Sequence, residues 1–183
     1  MVDTVERLLN AAENAVRARG FHAVSFRELA DELGIKSASV HYYFRHKEDL
    51  GLALVERYAE KFFTQLEVNA ANAGTPKEKV EAICQTYRDA LISSDQMCLC
   101  GMLGAESNGL PAKLAQRVSR FFEGNVRWVS HALGDTLSER EADDKAHRIV
   151  ATLQGAMMIA TSLKRNAVFD QSISLIAAGV PDE

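Results

Sequence analysis

Ser25 and Glu28, flanked by Val24 and Leu29, form the pattern that most constrains this chain. A serine at a helix N-cap and a glutamate three positions on satisfy each other's orphan backbone donors. The two apolar residues sit at the positions of a hydrophobic staple, so a helix start is fixed at Ser25. Phe26, Leu29, Ala30 and Leu33 then recur on one face at helical spacing. Gly34 stands where a left-handed residue closes a helix without a Cβ penalty, which ends the helix near Leu33. Ile35 is placed to plug the corner, and Ser37 is the expected N-cap of a short segment holding Ser39, Val40, His41, Tyr42, Tyr43 and Phe44. Helix, tight turn and helix in this order make a helix-turn-helix.

The second of these helices has the leading end of a DNA reader. Residues near the N-terminus of a recognition helix must be small or polar to enter the major groove, and Ser37, Ala38 and Ser39 are of that kind. His41, Tyr42 and Lys47 are expected to hold phosphates, and Ser25, Arg27, Lys36 and Tyr43 complete the candidate DNA-contacting set. Lys47 is informative because a helix starting near it disfavours its charge, whereas Glu48 and Asp49 suit that position. A lysine with no local gain there implies an anion. The formal net charge of -4 argues against coating nucleic acid without regard to sequence. Arg27, Lys36, Arg45 and Lys47, with His41 and His46, still gather positive charge around the reading helix, and local charge matters more than the total. Such a domain is expected to need a second copy for firm binding.

The run GIKSASVHYYFRHKEDL, preceded by SFRELADEL and by a helix ending in RGF, resembles the DNA-binding domain of the tetracycline-repressor (TetR) family of bacterial transcription regulators, over about Thr4 to Leu54. Ser39, Val40, His41, Tyr42, Phe44, Lys47 and Glu48 fall on the family's motif, with His41 where tyrosine is usual and Arg45-His46 in place of Pro-Ser. The resemblance implies a ligand-responsive regulator, most often a repressor. It also implies a homodimer joined through its last two helices as a four-helix bundle, a double-stranded DNA operator and a small-molecule effector. The competing reading is a helical-bundle enzyme or adaptor whose helix-turn-helix is only a structural corner.

The rest of the chain reads as helices. With 47% hydrophobic residues, 25% charged residues and only three prolines in 183, an all-α protein with a real core is expected. Val5, Leu8, Leu9, Ala12, Ala15 and Val16 mark a first helix capped by Asp3 or Thr4 and stopped at Gly20, and Phe21, Phe26 and Phe44 are expected to fill the middle of a three-helix domain. Leu50, Leu54, Tyr58, Phe62 and Leu66 mark a long connecting helix from Lys47 towards Ala73, with Gly74 as terminator. Thr75 to Glu78 opens another helix, Ser93 to Gly109 reads as a loop around a short helix at Leu99 to Glu106, and Leu110-Pro111 restarts a long helix closed by Gly134. Ser138 to Glu141 caps a penultimate helix, and a last helix runs to Gly179-Val180-Pro181. The expected division is residues 1–48 for DNA binding and 49–183 for ligand binding and dimerisation. Leu153, Gly155, Ala156, Met157, Ala160, Phe169, Ile173 and Ile176 are the expected dimer interface, since small residues let helices approach closely.

No apolar run reaches the length of a membrane span and the N-terminus lacks the order of a signal peptide, so a cytoplasmic protein without a membrane partner is expected. Tyr87, Met97, Cys98, Cys100, Met102, Phe121 and Trp128 are expected to line an apolar effector cavity. Cys98 and Cys100 do not share a helix face and have no further ligands at zinc spacing, so no metal site is expected. No Lys, Arg or His lies between Ser93 and Pro111 to activate a thiol, which favours non-covalent sensing. The five histidines fall in no catalytic motif, and neither an enzymatic activity nor a cofactor is expected.

Overall fold

The computed structural model describes residues 4–92, 96–134 and 136–180. Among these the chain forms nine α-helices and no strand: α1 (Thr4–Arg19), α2 (Phe26–Leu33), α3 (Ser37–Tyr43), α4 (Lys47–Ala70), α5 (Pro76–Ile92), α6 (Leu99–Ala105), α7 (Ala112–Leu133), α8 (Glu139–Leu163) and α9 (Asn166–Ala178). A single 3-10 turn at Ser107–Gly109 separates α6 from α7. Asp3, the start of the Ser93 to Gly109 stretch and Pro181 lie outside the described residues.

The helix boundaries follow the capping chemistry. Ser25 Oγ accepts from Glu28 N–H at 3.2 Å while the Glu28 carboxylate accepts from Ser25 N–H at 3.0 Å. Thr75 with Glu78 and Ser138 with Glu141 repeat the device at α5 and α8. Gly34, at φ 66°, closes α2 in the left-handed region. Two expected boundaries differ. Ser37 is already inside α3, whose N-cap is Lys36 without a side-chain cap; the closure at Gly34–Ile35 leaves only one extended residue before the helix begins. α4 ends at Ala70 rather than Ala73, and Gly74 gives its N–H to the Glu78 carboxylate at 2.7 Å, so it belongs to the start of α5.

The chain divides into two compact units, Met1–Ala59 with Leu99–Ser119, and Glu60–Cys98 with Arg120–Glu183. The units do not follow chain order: α4 and α7 each contribute to both, and α6 joins the N-terminal helices. The expected boundary after residue 48 falls inside α4.

In the first unit Leu8, Ala12, Val16, Phe21, Leu29, Val40, Phe44, Leu50, Leu54, Leu103 and Leu114 are buried. Phe26, expected among them, is half-buried because its ring stands at the surface beneath His41. Arg57 fastens α4 to α1, donating to Glu6 Oε1 at 2.9 Å, Asn10 Oδ1 at 2.9 Å and Glu13 Oε2 at 2.7 Å. Its side chain is only 11% exposed, and removing one partner of so enclosed a pair typically costs about 3–5 kcal/mol.

In the second unit the rings of Phe62, Tyr87 and Phe121 meet edge to face, with Phe62 centroids 5.0 Å from Tyr87 and 5.1 Å from Phe121. α9 is held to α5 by Arg88, which donates to Asp170 at 2.7 Å. α8 buries Ile149, Val150, Leu153, Ala156, Met157 and Ala160 within this single chain, and Phe169 of α9 is buried with them. Leu153, Ala156, Met157, Ala160 and Phe169 are therefore core residues and not available to a partner surface, which corrects their expected place. The apolar arc of α8 is wide enough to cover two faces, and the stripe that packs inward is the one assigned outward from sequence. Gly155, Ile173 and Ile176 are half-buried, and the large apolar side chains exposed on this pair of helices are Met158, Ile159, Leu163 and Leu175.

Candidate nucleic-acid interface

The reading helix is presented by a corner whose geometry is set locally. Gly34 N–H donates to Asp31 O at 3.2 Å and Ile35 N–H to Ala30 O at 3.0 Å, the paired bonds of a Schellman closure. α3 then inserts Val40 into the core, with Phe44 buried just after it, and turns its remaining side chains outward. Ser37, Ala38 and His41 are exposed and Ser39 is partly so, while Tyr42 is 83% exposed, an unusual exposure for so large a ring. Tyr42 and Tyr43 pack edge to face at 5.1 Å, and His41 stands edge to face on Phe26 at 4.9 Å. Each contact gives an exposed ring of α3 a neighbour to pack against.

Around this helix Arg27, Lys36, Arg45 and His46 are exposed. Arg27 reaches only to 3.9 Å from Asp31, an exposed pair that leaves the guanidinium accessible. Ser25 is exposed, but its hydroxyl is engaged in the α2 capping box. Arg45 belongs to this basic rim although it is absent from the candidate set; its sequence signal was the positive cluster itself. Arg7, also unforeseen, donates to the terminal Leu33 O of α2 at 3.2 Å.

Lys47 differs from its expected setting. Its Nζ donates to His22 O at 3.1 Å and lies 4.7 Å from the centroid of Phe21, so it does gain locally. Partial burial lowers its pKa, against the raising influence of Glu106 and Glu28. The long stem lets it reach back to the α1–α2 corner, which sequence spacing does not reveal. The start of α4 is instead completed by Asp49, whose carboxylate accepts from His46 N–H at 2.8 Å.

The residues expected to line an effector cavity are divided between the units: Cys100 and Met102 belong to the first, and Tyr87, Met97, Cys98, Phe121 and Trp128 to the second. In the second unit Tyr87, Cys98 and Phe121 are buried, the Tyr87 hydroxyl accepts from Gln154 Nε2 at 3.1 Å, and Cys98 N–H donates to Met157 Sδ at 3.1 Å. Asn125 is fully buried and donates to Phe121 O at 2.8 Å. Asn125 Oδ1 and Gln154 Oε1 have no hydrogen-bond partner. Sequence reading missed both; an Asn inside the apolar stripe from Phe121 to Val129 was the available signal. Trp128 lines a cleft of about 320 Å³ with Glu67, Ala70, Lys79, His131 and Ala132. Burial pushes the Cys84 thiol up to about 12, with the Glu81 charge adding to it. Among the described residues no group of three or more His, Cys, Asp or Glu is placed to hold a metal ion, and no helix is long and apolar enough to cross a membrane.

Residues 8–54 match the profile of the bacterial regulatory proteins of the tetR family. The chain is similar to a TetR transcriptional regulator of known crystal structure from Legionella pneumophila, with a TM-score of 0.92 and 26% identity over 99% of each chain. It is 27% identical over 134 residues to the HTH-type transcriptional repressor NemR of Escherichia coli (strain K12), which covers 72% of this chain and 67% of that protein. The fold is also that of the transcriptional regulator FadR from Bacillus subtilis, solved in complex with stearoyl-CoA, with a TM-score of 0.78 and 17% identity over 97% of this chain and 100% of that one. Residues 8–54 thus carry the helix-turn-helix of the tetR family of bacterial regulatory proteins, and along its length the chain has the fold of TetR transcriptional regulators.

Proposed function

We propose that this regulator is a homodimeric repressor in the cytoplasm that binds a DNA operator and releases it when a small molecule occupies its second unit. The observation that carries the DNA-binding reading is the uncovered α3, with Tyr42 83% exposed beside small polar residues and a basic rim. Ser37, Ala38 and Ser39 enter the major groove, while Arg27, Lys36, His41, Tyr42 and Tyr43 hold the backbone and edges of the bases. Ser25 and Lys47 support this surface from the helix starts. Residues 1–48 serve as the DNA-binding domain, and residues 49–183 carry effector binding and dimerisation.

Dimerisation is assigned to the outward face of α8 and α9, through Gly155, Met158, Ile159, Leu163 and Leu175. A Cβ at Gly155 meets nothing within 4 Å, so a helix from a second copy has room to approach there. The effector reading rests on the buried acceptors Asn125 Oδ1 and Gln154 Oε1 beside aromatic side chains. A compound with an apolar body and a hydrogen-bond donor answers that chemistry. No catalytic step enters this reading.

Footprinting on DNA flanking the gene tests it most directly: a protected, two-fold symmetric site is expected, and the absence of any protected site removes the operator-binding role. Ile159→Glu with Leu163→Glu is expected to yield monomers in sedimentation and to lose the footprint. A variant that stays dimeric and protects the site places the partner surface elsewhere.

A further inference from the structure

The corner between α1 and α2 is gripped by a residue 85 positions away in sequence. Glu106 lies between α6 and the 3-10 turn. Its N–H donates to Leu103 O at 3.1 Å and its carbonyl accepts from Gly109 N–H at 2.8 Å, so its backbone is tied on both sides. From that base the carboxylate reaches the corner, where Oε2 accepts from Phe21 N–H at 2.8 Å in a partly buried setting. Gly20 has φ 84°, and a Cβ built there runs into Glu106 Oε1. A donor aimed at the carboxylate and a residue without a side chain beside it are two separate features that fit one group.

The neighbours reinforce the grip. Phe21 is buried, and its ring packs against Gly51, where an added Cβ would stand 2.9 Å from Phe21 and 2.7 Å from Leu114. Lys47 covers the same ring and donates to His22 O. Gly109 backs onto the His22 imidazole, with an added Cβ 3.0 Å from Nε2. All of these residues belong to the first compact unit, so α6 and the beginning of α7 form part of the body that carries the reading helix.

We infer that Glu106 is a positioning residue for DNA reading: by holding Phe21 N–H and the glycine corner before it, its carboxylate fixes how α2 and α3 are presented. This rests on α2–α3 being the DNA-reading surface. The role needs an acceptor at a set reach and does not need a charge. Glutamine keeps both the reach and an acceptor oxygen, whereas aspartate keeps the charge but is one methylene short.

The experiment uses the full chain and a duplex from the footprinted region flanking its gene, with Glu106→Ala, Glu106→Asp and Glu106→Gln compared by fluorescence anisotropy across a salt series. Leaving the partly buried Phe21 N–H without an acceptor is expected to weaken binding by roughly tenfold or more in the Ala and Asp variants. The Gln variant should bind close to the unaltered chain. All four salt slopes should agree, since Glu106 touches no phosphate. Amide exchange of Phe21, followed by NMR without DNA, should quicken by the same order in Ala and Asp but not in Gln. Equal binding by all variants overturns the inference, as does a Gln variant as weak as Ala, or an Asp variant as strong as the unaltered chain. If the unaltered chain binds no such DNA, the reading of the surface fails, and a Phe21 amide that is insensitive to Glu106 then refutes the grip separately. Should Ala fail to fold by circular dichroism, the Asp and Gln pair decides.

Discussion

Helices α2 and α8 begin and end with the same devices, yet only one of their corners is determined by its own residues. Each starts with a serine–glutamate capping box, and each closes with the same pair of backbone bonds: Gly34 to Asp31 O and Ile35 to Ala30 O in one, Lys164 to Thr161 O and Arg165 to Ala160 O in the other. Gly34 takes φ 66° and ψ 32° with no steric penalty. Lys164 takes φ 52° and ψ 43°, the one non-glycine residue with positive φ among the described residues, where a Cβ costs roughly 1–2 kcal/mol. The second corner is held from α9, by the burial of Phe169 and by the Arg88–Asp170 pair. The reader's corner is thus made locally, and the α8–α9 corner is imposed by packing. The uncovered surfaces differ in parallel, polar and basic around α3, apolar at Met158, Ile159, Leu163 and Leu175.

Salt should separate the two surfaces most widely. For a dimer making six or more phosphate contacts, raising monovalent salt from about 50 to 200 mM is expected to weaken operator binding about a thousandfold or more. Self-association through the apolar face should hold steady or strengthen slightly over that range. Anisotropy and sedimentation read the two separately, and a flat DNA response would remove the basic rim from the interface.

Next in size is Gly34→Val. A β-branched side chain in the left-handed region should lower stability by about 2 kcal/mol and weaken DNA binding with it. Because no atom lies within 4 Å of a Cβ there, the loss is conformational, and Gly34→Asn should recover much of it. Thermal unfolding of the pair checks this; equal losses in Val and Asn would point to crowding instead.

Lys164→Gly should move the other way, by about 0.5–1 kcal/mol of added stability, because relief of the left-handed strain exceeds the added freedom of the unfolded chain. Urea denaturation measures it. No gain would mean that α9 does not hold Lys164 in this conformation.

The smallest effect is on pH and is shared by both helices. The Ser25 and Ser138 hydroxyls, then their backbone N–H groups, hold Glu28 and Glu141 below the usual 4.5. A carboxyl with a depressed folded pKa stabilises the native state above its unfolded pKa and loses that contribution as pH falls through the folded value. The melting difference between the unaltered chain and Ser25→Ala or Ser138→Ala should therefore be constant above about pH 4.5 and shrink below it. A difference that changes between pH 6 and 8 would assign it to other groups.

Most of the fold was legible because its signals are local. Ser25 with Glu28, Gly34, Pro76 and Ser138 with Glu141 mark helix ends by chemistry that needs no tertiary partner, and the all-helical architecture follows from them. The family resemblance was legible for the same reason, since α3 and its flanks occupy one continuous run. What failed was the choice of face on α8, where Leu153, Ala156, Met157 and Ala160 compete with Met158, Ile159 and Leu163 and only packing against other helices decides. Contacts distant in sequence were equally hidden: Lys47 on Phe21, Arg57 on Glu13 and Glu106 on the α1–α2 corner. The corner at Lys164 gave no signal, because a lysine does not advertise a left-handed backbone.

Trp128 gives this chain an optical label of its own. It is the single tryptophan in the sequence, and it stands half-buried in the cleft with Glu67, Lys79 and His131. Selectively excited indole emission therefore reports from one place in the second unit, beside a carboxylate, an ammonium and an imidazole that can quench or shift it. A compound entering that cleft changes the emission directly. Duplex DNA at α3 has no indole to touch, so any colour change it causes measures a rearrangement carried through the protein to Trp128, in unlabelled material and in real time.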